Sequence, residues 1–158
     1  MKNNFTVPSG TFEKIVKDEA GINEYIGLEP PELRAMAALA GSLYEQGRVS
    51  EARTILEGLT ALDPRLYLGY AGLGAIQLIE EQLEPALTNL SRAAGLNPDD
   101  PSVQANLGEV LLRQAKFIEA SRCFERALAL DPKQEDAGAN RARAIIAGLK
   151  LVAGEPRS

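Results

Sequence analysis

Ala61-Leu62-Asp63-Pro64, Gly95-Leu96-Asn97-Pro98 and Ala129-Leu130-Asp131-Pro132 are three versions of one short phrase, spaced 34 residues apart. The same step joins Ala52, Ala86 and Ala120, each twelve residues before its proline. It also joins Leu39, Leu73 and Leu107, with the small residues Ala40, Gly74 and Gly108 beside them. A constant phase held across three segments marks an internal repeat, which decides the fold before any single residue is weighed.

Each repeat reads as a helical hairpin. Small residues on the first helix let the second cross closely, and the alanines at 52, 86 and 120 do the same from the other side. Apolar residues at helical spacing fill the seam. Proline cannot continue a helix interior but suits a first turn, so Pro64, Pro98 and Pro132 close one hairpin and open the next. Asp99 or Asp100 can cap the helix that Pro101 opens. One hairpin cannot bury its apolar faces alone, so neighbours must stack. The expected fold is therefore all-α, with three hairpins at 31–64, 65–98 and 99–132.

The flanks complete the plan. Residues 133–153 read as a capping helix through Ala137, Ala144, Ile145, Leu149 and Val152, with a tail to 158. Residues 1–30 form an N-terminal segment in which 11–24 can make a short helix through Phe12, Ile15 and Val16. That helix breaks around Gly21, with a second break at Gly27-Leu28-Glu29-Pro30-Pro31.

Composition narrows the function classes. The chain has 158 residues, 45% hydrophobic and 25% charged, the balance of a globular domain. Its net charge of -5, without a basic patch, argues against nucleic acid as a partner. No apolar run is long enough for membrane insertion or suited to a signal peptide, which implies a cytoplasmic protein. Histidine is absent, which removes Ser-His-Asp and Cys-His pairs and histidine metal sites. No motif points to a catalytic residue, a cofactor or a metal, and the chain reads as a non-enzyme. Cys123, the one cysteine, reads as an inert thiol beside Phe124.

The pattern resembles the tetratricopeptide repeat: a small residue after Leu, then Ala, an apolar residue four later, and Pro. The third repeat carries it most fully, in Leu107-Gly108, Leu111, Ala120, Phe124, Ala127 and Pro132. The resemblance implies a right-handed superhelix whose concave face is lined by the first helix of each hairpin. The family's ligand-facing positions then fall on Arg34, Ala37, Gly41, Tyr44 and Glu45, on Leu68, Ala71, Ala75, Leu78 and Ile79, and on Ser102, Ala105, Glu109, Leu112 and Arg113. Such a groove suits an apolar segment of a protein or peptide. Leu78 and Ile79 suit either ligand contact or internal packing, and Arg34 and Arg113 either solvated charge or a clamp. A carboxylate clamp is not expected, because the central positions are Gly41, Ala75 and Glu109.

A narrower resemblance covers residues 22–130. Leu43-Tyr44-Glu45-Gln46-Gly47-Arg48 followed by Glu51-Ala52, and Leu62-Asp63 leading to Gly72-Leu73-Gly74-Ala75, are similar to the class II chaperones of type III secretion systems. So is Asp100-Pro101 leading to Glu109-Val110-Leu111-Leu112. That resemblance implies a chaperone holding a hydrophobic segment of a secreted partner, with a homodimer through residues 11–30. The alternative is a general tetratricopeptide adaptor in a multiprotein assembly such as pilus, secretion or envelope biogenesis.

Overall fold

The computed structural model describes residues 23–152, and every regular element among them is a helix. In chain order these are α1 (Asn23–Ile26), α2 (Pro30–Glu45), α3 (Val49–Leu62), α4 (Tyr67–Ile79), α5 (Leu83–Leu96), α6 (Pro101–Arg113), α7 (Phe117–Leu130) and α8 (Ala137–Val152). The predicted helix over 11–24 and most of the 11–30 dimer segment lie outside the described residues. The chain divides into two compact units, Met1–Gly72 and Leu73–Ser158, with the boundary inside α4.

In the first unit, α1 ends at Gly27, whose φ of 76° is the left-handed geometry that glycine takes without strain. The Asn23 side chain secures the turn, accepting from Leu28 N–H at 2.8 Å and donating to Leu28 O at 2.9 Å. Pro30 and Pro31 open α2, and the Glu32 carboxylate accepts from Glu29 N–H at 2.7 Å. These are the prolines and first-turn acid that favour a helix start. Leu33, Ala40 and Leu43 of α2 and Ala52, Leu56 and Leu59 of α3 are buried. Gly69 and Gly72 bring the start of α4 against α3. A Cβ added at Gly72 would lie 2.5 Å from Leu56 Cδ2.

In the second unit the crossings fall where the repeat puts them. A Cβ at Gly74 would sit 2.5 Å from Leu90 Cγ, and one at Gly108 would sit 2.7 Å from Phe124 Cδ1. Leu78, Ala86, Leu90 and Val110 form one buried cluster, and Ala105, Leu111, Ala120, Phe124, Ala127 and Ala142 another. Full burial of a side chain such as Leu90 stabilises by about 1.5–3 kcal/mol. Asp100, followed by Pro101, caps α6 by accepting from Val103 N–H at 2.9 Å. Pro85 falls in the first turn of α5, where no helical hydrogen bond is lost.

The three hairpin turns share one closure. Gly47, Glu81 and Ala115 occupy equivalent positions with φ of 78°, 61° and 58°. In each, the following residue donates back across the helix end: Arg48 to Leu43, Gln82 to Gln77 and Lys116 to Leu111, at 2.8–2.9 Å. The left-handed residue itself donates to Tyr44, Leu78 and Leu112 respectively. This paired closure satisfies the last carbonyls of the first helix and reverses the chain.

The capping helix begins at Ala137, not at 133. Gln134 takes a φ of 62°, and Asp136 is used as a cap, accepting from Ala139 N–H at 2.7 Å. The same carboxylate holds Ser102 Oγ at 2.9 Å, tying the start of α8 to α6. Gly138 lies close by: a Cβ there would be 2.7 Å from Ser102 Cα. Asp131, of the repeated Asp-Pro phrase, is buried and ion-paired with Arg143 at 2.9 Å. Arg143 also donates to the Asp131 carbonyl. The hydrogen bond and charge of Arg143, helped by backbone N–H groups of Glu135 and Asp136, hold this carboxyl below the usual aspartate range.

Candidate functional site

Residues 34, 37, 41 and 44 share one face of α2, since steps of three and four residues return to the same side of a helix. Arg34 and Gly41 are exposed there, and Ala37 and Tyr44 half-buried. Leu68 and Ala71, on the part of α4 in the first unit, are half-buried. These six positions offer small or apolar surface with one aromatic ring and one guanidinium.

The second unit is different. Ala75 is half-buried and reachable, but Leu78 and Ala105 are each only 2% exposed. Leu78 packs with Leu90 and Val110, and Ala105 sits in the cluster that includes Ala142 of α8. Both are core residues: for Leu78 this is the internal packing that the sequence left open, and for Ala105 it is a correction to its placement on a binding face. The next helix in line covers them. Ile79, beside Leu78, points outward at 60% exposure.

The charged positions of α6 are engaged internally. Glu109 bridges Arg113 Nη2 at 2.7 Å and Arg141 Nε at 3.0 Å. Arg113 Nη1 also donates to Leu78 O at 3.1 Å, meeting a carbonyl in the last turn of α4. Arg141 further donates to Asn106 Oδ1. Arg113, though exposed, is engaged within the unit and staples α4 to α6. Leu112 is half-buried against the α6–α8 cluster.

Cys123 is half-buried on α7. Burial, with the charge of Glu119 adding to it, pushes the thiol pKa up, which disfavours the reactive thiolate. Among the described residues no group of His, Cys, Asp and Glu is arranged to hold a metal ion. No described helix is long and apolar enough to cross a membrane.

One feature escaped the sequence reading. Between α7 and α8 lies a cleft of about 410 Å³, lined by Phe117, Phe124, Leu128, Ile146 and Leu149 among others. Its sequence signals are the Phe117-Ile118 pair opening α7 and Leu149-Lys150-Leu151-Val152 closing α8. Both stretches carry apolar residues beyond what the hairpin seam consumes.

The geometry defines a helical-hairpin repeat protein with accessible small residues on α2 and α4. Residues 101–134 match the tetratricopeptide repeat model. No curated protein sequence matches the chain at a significant level. Solved structures do resemble it over nearly their whole length. A type III secretion complex from Aeromonas hydrophila aligns with a TM-score of 0.71 at 21% identity, covering 94% of this chain and 100% of that one. The translocator chaperone SycD of Yersinia enterocolitica gives 0.67 at 21%, covering 82% and 98%. PcrH, a Pseudomonas aeruginosa protein solved with the chaperone-binding region of PopD, gives 0.65 at 27%, covering 80% and 97%.

Proposed function

We propose that this chain is a non-catalytic chaperone of the type III secretion translocator class, holding an apolar segment of a secreted partner until export. The observation that carries the reading is the likeness to PcrH across 97% of that chain, in a structure where PcrH holds the chaperone-binding region of PopD. The accessible residues of the first unit support it: Ala37, Gly41, Tyr44, Leu68 and Ala71; Ala75, one turn further along α4, is also reachable. Small side chains let an extended backbone approach closely, and the larger apolar ones supply pockets for its side chains. Arg34, exposed on the same face of α2, offers a polar anchor at the edge. A chaperone of this class works in the cytoplasm, on the side from which its client is exported.

Affinity capture from the native cell, with the purified chain as bait, tests the reading. A secreted protein with an apolar segment is expected, lost with Ala75→Glu while the circular dichroism of the variant stays helical. Capture of a folded assembly component, unmoved by Ala75→Glu, would overturn it in favour of a general adaptor.

A further inference from the structure

Two guanidiniums converge on one carboxylate in the second unit. Glu109 of α6 pairs with Arg113 Nη2 at 2.7 Å, and with Nε of Arg141, from α8, at 3.0 Å. The anion sits back and the cations reach out: the Glu109 side chain is 14% exposed, those of Arg113 and Arg141 38% and 48%. Two positive charges against one leave this cluster net positive, on a chain whose net charge is -5. A guanidinium carries five N–H donors. Arg113 uses one on Glu109 and one on Leu78 O, and Arg141 one on Glu109 and one on Asn106 Oδ1. Arg113 Nε and Arg141 Nη1 have no acceptor among the described residues.

Apolar surface leads up to these donors. Ala75 and Ile79 are four residues apart and share a face of α4. Ala75 is half-buried there and Ile79 is 60% exposed. Arg113 Nη1 holds the carbonyl of Leu78, the residue before Ile79, so its guanidinium lies at the C-terminal end of α4. Two aliphatic positions beside a net-positive pair of guanidiniums fit one chemistry, an apolar residue with Asp or Glu close by. Guanidiniums recognise carboxylates through parallel, charge-assisted N–H bonds. We propose that Arg113 and Arg141 form an acid-reading subsite. It takes an Asp or Glu side chain of the client segment, next to an apolar residue seated on Ala75 and Ile79. That the occupant is a client segment rests on the chaperone reading above.

Panning a random-peptide library on the purified full chain tests this. Peptides with Asp or Glu near an apolar residue should be enriched. An enriched peptide should bind about tenfold more tightly than its amide form, with Asn or Gln for the acid, in fluorescence anisotropy. Arg141→Gln, its circular dichroism unchanged, should cut that ratio to about threefold or less, and Arg141→Lys should restore most of it. Should Arg141→Gln fail to fold, the wild-type ratio is read against salt and must fall as ionic strength rises. A library that enriches no acidic peptide, or a wild-type ratio near one, would overturn the proposal. So would a ratio that survives Arg141→Gln, and one lost instead with Arg34→Gln would move acid recognition to α2. Translocator solubility on co-expression is a separate readout. An intact ratio with an insoluble translocator would keep the subsite and sink the chaperone reading alone.

Discussion

The first hairpin, α2–α3, and the third, α6–α7, solve the same packing problem with different residues. At the helix crossing the first uses Ala40 where the third uses Gly108. On the opposing helix the first uses Leu56 where the third uses Phe124. The smaller crossing residue goes with the bulkier neighbour, and all four are buried. Between these two hairpins a residue type changes together with its opposite number, whereas the second hairpin pairs Gly74 with Leu90. The turns differ likewise. Gly47 takes the left-handed position in the first hairpin without cost, whereas Ala115 carries a Cβ there.

The largest expected effect comes from breaking that volume match. Gly108→Leu should lower stability by about 1–3 kcal/mol in a denaturant titration, because the rigid Phe124 ring already lies where the new side chain must go. A milder version sharpens the comparison. Gly108→Ala should destabilise alone, yet combined with Phe124→Leu it should recover part of the loss, reproducing the Ala40–Leu56 pairing. Strictly additive effects in that double-mutant cycle would contradict the volume account.

The turn comparison predicts smaller changes of opposite sign. Gly47→Ala should cost about 1 kcal/mol, the strain of a Cβ in the left-handed region. Ala115→Gly should stabilise by about 0.5 kcal/mol, strain relief reduced by the entropy of glycine in the unfolded chain. A melting temperature that moves the same way in both variants would refute the equivalence of the two turns.

The smallest effect concerns acid. Asp131 has its folded pKa depressed by Arg143, so its contribution is present above the unfolded value of about 3.9 and fades as pH falls through the lower folded value. Asp131→Asn should therefore flatten the stability loss measured below about pH 4. An unchanged acid slope would show that the ion pair adds nothing.

These contrasts explain what the sequence could and could not disclose. Contacts inside a hairpin were legible, because Gly74, Gly108 and the alanines at 52, 86 and 120 repeat in phase with the helices they serve. Contacts from one hairpin to the next were not. Leu78 and Ala105 occupy positions that face a ligand in the repeat pattern, but Val110 and Ala142 lie against their clusters and bury them. Arg113 and Glu109 look available in sequence, yet their partners Leu78 O and Arg141 lie more than thirty residues away, beyond any local pattern. The left-handed turns at Glu81 and Ala115 were hidden because neither residue advertises that geometry. The α7–α8 cleft was hidden because apolar residues at a helix end read equally as core.

Co-expression with a type III translocator from the same cell tests the proposed function most directly, with solubility of the translocator as the readout. The account predicts that the wild-type chain keeps it soluble and that Ala75→Glu, still folded, lets it precipitate. A translocator equally soluble with both forms, or insoluble with both, would contradict the claim that this face holds the client.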